Sequence, residues 1–375
     1  MSDTKRKERT RRFIIETQKE YGDKVDLSEE IKEDVYRLAI EEGVSINNAL
    51  SMRNILKEIE DFSPYQSVTD YVFLRNVVSD IHTYACNELR GYNTSGIMWG
   101  TINMMEFSAF ICSSREIDDT MFFTSGLVSL AINISIIFST VVPISFENRL
   151  LKIDYTDVDK IAYTFQKSTY TIFFYVMFMF ENSRTHESLS ETLLKADESL
   201  KILASIIYDC FLRFVVAHEY SHHLLNHTVT DIDILAKNKN DRKLLKVPQE
   251  HRMSAVRWKR ETDADELAAH MTINSQKFSH FSHYGIAIAL KMMEFFNGMS
   301  VVTHPPVSIR RSHLFDCRHL DLNYDVFTIV DSVFDKLLAD YRQKKDALMK
   351  ECADVSLSNL SNVEFQETVS EFLNR

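Results

Sequence analysis

Apolar positions recur at helical spacing along most of this chain. After Asp26 and Glu29, which together make a capping box, Ile31, Val35, Leu38 and Ala39 form a stripe that Gly43 ends, and Ser45 opens a second helix from Ile46 to about Ile59. From Gly126 onward the pattern is again helical. One long helix is expected from about Leu200 into His227 and another from about Val256 into His270. Beyond a break at His304-Pro305-Pro306, amphipathic helices follow, with Phe327, Val330, Phe334, Leu337, Leu338 and Tyr341 on one face. Residues 63–125 differ: Gly91, Gly96 and Gly100 mark turns, and Phe107–Cys112 and Thr120–Thr124 read as short strands. The stretch 120–146 carries no charge and is long enough to cross a bilayer, but Ser125, Ser129, Asn133, Ser135, Ser139, Thr140 and Pro143 interrupt it, so a buried element is expected. Tyr170–Phe180 is too short to span and reads as core.

Composition sharpens this picture. Only 8 Gly and 5 Pro occur in 375 residues, too few for the many turns of a sandwich or barrel, so the expected class is mostly α, formally α+β. The expected organisation is a helical arm and αα-hairpin over 1–62, a catalytic domain over 63–323 with a helical insert at about 145–200, and a helical region over 324–375. Six basic side chains between residues 4 and 12 suggest a solvated arm. The hairpin has the cadence of a helix-turn-helix DNA reader. Residues 1–60 nevertheless carry 12 Lys and Arg against 14 Asp and Glu, and the whole chain has a net charge of −11, so nucleic acid is not an expected partner. The strongly basic segment 237–260 reads as a solvated loop close to the candidate chemistry. Cys86, Cys112, Cys210, Cys317 and Cys352 are scattered and form no C-x-x-C pair. With an N-terminus lacking a secretory apolar core, this points to the cytoplasm. Stable membrane insertion is not expected, and the oligomeric state leaves no mark on the sequence.

The chemistry is concentrated at His218-Glu219-Tyr220-Ser221-His222, an H-E-x-x-H motif preceded by the apolar run Phe214-Val215-Val216-Ala217. Residues four apart share a helix face, so both imidazoles can aim at one ion while Glu219 stands beside them as a general base. A catalytic Zn2+ takes three protein ligands. Downstream, Glu261 and Asp265 lie one helical turn apart, so that one carboxylate can bind metal and the other can hydrogen-bond the free ring nitrogen of a ligating histidine. Spacing alone does not say which does which. Asp265, Glu266 and His270 are alternative ligands, while His223 and His227 read as bystanders on the same helix.

H-E-x-x-H followed by E-x-x-A-D resembles the gluzincin peptidases, particularly the compact core of the heat-shock and prenyl-protein endopeptidases. Phe107-Ser108-Ala109-Phe110 resembles their Asn-Ala-Phe element, although Ser108 stands where Asn is usual. Thr120–Val128 resembles their edge strand and following helix, and Thr303-His304-Pro305-Pro306 with Arg310-Arg311 resembles their closing signature. The resemblance implies a zincin-like core whose small sheet has an edge strand beside the active-site helix, and metal ligands His218, His222 and Glu261. It also implies that Asp265 orients a histidine, that the strand at 120–124 takes up a protein or peptide substrate by strand addition, and that His304 stabilises the oxyanion. Arg310, Arg311, Tyr220 and Tyr284 are other candidates for that last role. The membrane helices of the group have no counterpart here, so a soluble Lit-type phage-exclusion peptidase is the closer analogy. Two other readings fit the motifs: a DNA-binding sensor carrying a zincin domain, and a zinc hydrolase acting on a non-peptide bond.

Overall fold

A computed structural model describes residues 3–22, 68–141, 144–147, 150–153, 167–182, 198–228, 251–275, 279–296 and 304–351, together with residues 33, 36, 37, 54, 56, 57, 63, 361 and 372. The structure is mostly helical with a small mixed sheet, the expected class. The chain divides into two compact units, Met1–Val128 with Val216–Met271, and Ser129–Val215 with Thr272–Arg375. Most of the expected hairpin at 26–59, and residues 237–250 of the basic segment, lie outside the described residues.

The first unit contains helices α1 (Asp3–Tyr21) and α2 (Val68–Glu88) and strands β1 (Ile97–Ile102), β2 (Ala109–Ser114) and β3 (Ile117–Thr124). The strand order is β1-β3-β2, with β1 parallel and β2 antiparallel to β3. Two expectations change here. Among the described residues the strand at 120–124 is central rather than an edge, with β1 and β2 on either side of it. Gly100 lies within β1 rather than in a turn. Its partner in the ladder is Phe122.

Side chains alternate across a strand, so the adjacent Asp118 and Asp119 of β3 serve opposite faces. Asp118 faces α1, pairing with Arg6 at 3.0 Å while its backbone N–H donates to Thr10 Oγ1 at 2.8 Å. Gln18 Nε2 donates to the backbone oxygen of Thr101. Ile14 packs against Ile102 and Phe122. The basic N-terminus is therefore not a solvated arm: Thr10, Ile14 and Gln18, four residues apart, form a buried stripe that the surrounding charges mask in the sequence.

At the end of β3, Thr124 caps helix α3 (Ser125–Val141), its Oγ1 accepting from the Leu127 N–H. Gly126 is fixed by crowding, since a Cβ there would lie 2.5 Å from backbone atoms of Glu106.

Most of α3 belongs to the second unit. Strands β4 (Ile144–Glu147) and β5 (Leu150–Ile153) and helices α4 (Lys167–Glu181), α5 (Glu198–Leu224), α6 (Arg252–Asn274), α7 (Ser279–Phe296), α8 (Val307–Asp316) and α9 (Tyr324–Glu351) follow in chain order. The C-terminal part of α5, from Val216, and α6 as far as Met271 fall in the first unit. The antiparallel β4–β5 pair lies inside the expected helical insert, a correction to it. The uncharged stretch is largely buried over residues 120–139, with Leu130, Ala131, Ile134 and Phe138 inside, and among the described residues no helix is long and apolar enough to cross a membrane. All six residues of the predicted stripe on α9 are buried. Phe138 and Phe173 both meet Phe334, and Phe174 meets Tyr341. Gly285 of α7 lets that helix approach α5 closely, because a Cβ there would lie 2.4 Å from the backbone carbon of Cys210.

Candidate metal centre

The H-E-x-x-H motif occupies the last turns of α5, ahead of its end at Leu224. The preceding Phe214, Val215, Val216 and Ala217 are at most 3% exposed, and Tyr220 and Ser221 are equally enclosed, so the helix is a rigid mount. His218, Glu219 and His222 are themselves buried.

α6 brings Glu261 against both histidines. His218 Nε2 and His222 Nε2 are 3.2 Å apart, Glu261 Oε2 is 3.4 Å from the first, and Glu261 Oε1 is 3.5 Å from the second. An ion with tetrahedral bonds of about 2.0–2.1 Å sets its ligand atoms about 3.3–3.4 Å apart. The two histidine nitrogens, and each of them with one of the two Glu261 oxygens, are close to that separation, so the three residues fit a zinc ion. Neither of the alternatives Glu266 and His270 joins this group. His270 Nε2 lies 3.2 Å from the Tyr84 hydroxyl instead.

One turn further along α6, Asp265 is fully buried, with Oδ1 2.9 Å from His218 Nδ1. A carboxylate there holds the proton on Nδ1, so the proton that a metal ion would displace is the one on Nε2, facing Glu261 and His222. Burial alone would push His218 toward the neutral form. The hydrogen bonds and negative charges of Asp265 and Glu261 outweigh that and raise its pKa to about 10. Burial, and then the charge on His218, press His222 the other way, to about 3.

The two histidines expected to be bystanders are both engaged. His223 Nδ1 donates to Asp119 Oδ2 at 2.6 Å, and Thr228 Oγ1 donates to the same carboxylate. Burial would raise the pKa of Asp119, but these donors, with Ser113 of β2, hold it below its ordinary value. The pair fastens α5 to the sheet face opposite α1. His227 is not on the helix but in the turn after it, with Nδ1 3.1 Å from His222 Nδ1. Burial and then Arg260 lower its pKa to about 4.

β2 comes within electrostatic reach of this chemistry: burial, and then the carboxylate of Glu219, push the Cys112 thiol up. Among the residues weighed as oxyanion donors, Tyr220 turns its hydroxyl to His82 Nδ1 at 2.7 Å. His304, Tyr284, Arg310 and Arg311 belong to the second unit: His304 is exposed just before α8, Tyr284 and Arg310 are buried, and Arg311 makes a two-pronged ion pair with Asp331.

Two buried histidines and the half-buried Glu261, with Glu219 next to His218 on α5, define a candidate hydrolytic centre. The family model described as Peptidase U49 matches residues 132–325, just over half of the chain and a span that includes Glu219 and all four residues of the cluster and its support, His218, His222, Glu261 and Asp265. The chain belongs to the Peptidase U49 family, and is thereby a peptidase with protein as its substrate class. No curated protein and no solved structure matches it.

Proposed function

We propose that the chain is a zinc-dependent endopeptidase of the gluzincin type, cytoplasmic, hydrolysing a peptide bond of an intracellular protein. The observation that carries this reading is the convergence of His218 Nε2 and His222 Nε2, 3.2 Å apart, on the carboxylate of Glu261, whose Oε2 is 3.4 Å from the first and Oε1 3.5 Å from the second, separations close to those between zinc ligands. These three residues would hold the ion, which when bound supplies Lewis-acid polarisation of a water and of the scissile carbonyl.

The chain's own residues do the rest. Asp265 keeps the proton of His218 on Nδ1, so that Nε2 is available as a ligand. Glu219 takes the proton that the attacking water sheds and passes it to the leaving amine, so no proton need come from solvent. Among the described residues β2 pairs only with β3, and its outer edge is where an extended substrate segment would add as a further strand, held by backbone hydrogen bonds with little sequence preference. This moves the substrate edge from the strand at 120–124 to Ala109–Ser114. The role of His304 as oxyanion donor rests on resemblance alone.

The test is Glu219→Gln, which removes the base while sparing the ligands. Zinc content should match wild type, and the new protein termini that appear in cells expressing wild type should be missing with the variant. Cleavage by the variant at the wild-type rate would refute the mechanism.

A further inference from the structure

A histidine that ligates through Nε2 needs something to hold its other nitrogen, and the two histidines of this centre are held by different chemistry. His218 is backed by Asp265, from a second helix. His222 is backed by His227, whose Nδ1 is 3.1 Å from His222 Nδ1. Of two nitrogens at that distance, one donates and the other accepts. If His222 offers its Nε2 lone pair to an ion, its proton is on Nδ1, and His227 is the acceptor with its own proton on Nε2.

The backbone sets up this contact. The His227 N–H donates to the His222 carbonyl at 2.7 Å, the Asn226 N–H donates to the His223 carbonyl at 3.0 Å, and Asn226 has φ of 55°. Those two bonds and the left-handed residue make a Schellman turn, in which the second residue beyond the helix cap folds back over the third residue from the helix end. Here the folded-back residue is His227 and the one beneath it is His222, their ring centroids 5.2 Å apart. A neutral acceptor also suits the charge balance. Glu219, Glu261 and Asp265 together carry one negative charge more than a divalent cation balances, and a further carboxylate at this position would deepen that excess.

We infer that His227 is a positioning residue of the proposed metal centre, its Nδ1 accepting from His222 Nδ1 and aiming His222 Nε2 at the face shared with His218 and Glu261. The inference rests on the zinc reading above. Its test compares zinc affinity, by chelator competition, in full-length wild type, His227→Phe, His227→Ala and His227→Asn, with the unfolding temperature of each metal-free protein and the absorption spectrum of each cobalt-loaded one. Phe keeps a ring without an acceptor, whereas Asn restores an oxygen near the Nδ1 position. Phe and Ala should weaken zinc binding by about 10- to 100-fold, Asn should stay within about threefold of wild type, and the cobalt spectrum should shift with Phe and return with Asn. Zinc binding by Phe as tight as wild type, or a loss with Asn equal to that with Ala, would overturn the inference. A wild type that binds no zinc would instead sink the zinc reading itself.

Discussion

Asp265 is the most informative residue to remove, because its role differs from that of Glu261 although both sit on one face of α6. It is wholly buried and its carboxylate lies 2.9 Å from His218 Nδ1. It touches the ligand rather than the ion, so its loss should misorient one ring and leave three ligands in place. Asp265→Ala should weaken zinc binding by about 10- to 100-fold, which corresponds to about 1.4–2.7 kcal/mol. Glu261→Ala should cost most of the metal. The pH dependence adds a second signature. Asp265 and Glu261 hold a proton on His218 up to about pH 10, and a metal must displace it, so wild-type affinity should climb as pH rises toward that value. Without Asp265 the proton is held less tightly, and the climb should level off at lower pH. The variant's deficit should therefore be larger at pH 9 than at pH 7. Chelator competition across that range, with circular dichroism as a check of folding, measures it. If Asp265→Ala empties the site while Glu261→Ala keeps its zinc, the ligand assignment is wrong.

Other outcomes follow from the same geometry. Gly285→Ala would drive a Cβ to within 2.4 Å of the Cys210 backbone, and should destabilise the chain by about 1–3 kcal/mol in thermal or denaturant unfolding. Asp119 has a folded pKa below its unfolded value of about 3.9, so its contribution to stability is full above that value and lost as pH falls through the depressed one; Asp119→Asn should flatten the acid limb of a stability–pH profile.

The parts of this molecule that are legible in the sequence are those governed by local periodicity. Residues four apart on a helix must share a face, so spacing alone pairs His218 with His222 and Glu261 with Asp265, and it marks the buried stripe of α9. What spacing does not reveal depends on partners distant in the chain. Thr120–Thr124 looks like a strand by itself, but only pairing with both β1 and β2 makes it central. The α1 stripe of Thr10, Ile14 and Gln18 is too weakly apolar to stand out among six basic residues, and only Ile102 and Phe122 opposite it reveal a buried face. Helical spacing makes His227 a bystander, but that rule stops applying at Leu224, where the helix ends. Asn226 is the available clue, because Asn tolerates the left-handed conformation that ends a helix in this way. His223 carries no sign of its partner, since Asp119 is 104 residues away.

The central claim is that His218, His222 and Glu261 hold one catalytic zinc. The direct measurement is the zinc content of purified wild type and Glu261→Ala after equilibration with zinc and removal of loosely bound ion. The account predicts about one zinc per wild-type chain and close to none in the variant. A wild type that retains no zinc, or a variant that retains as much as wild type, would contradict it.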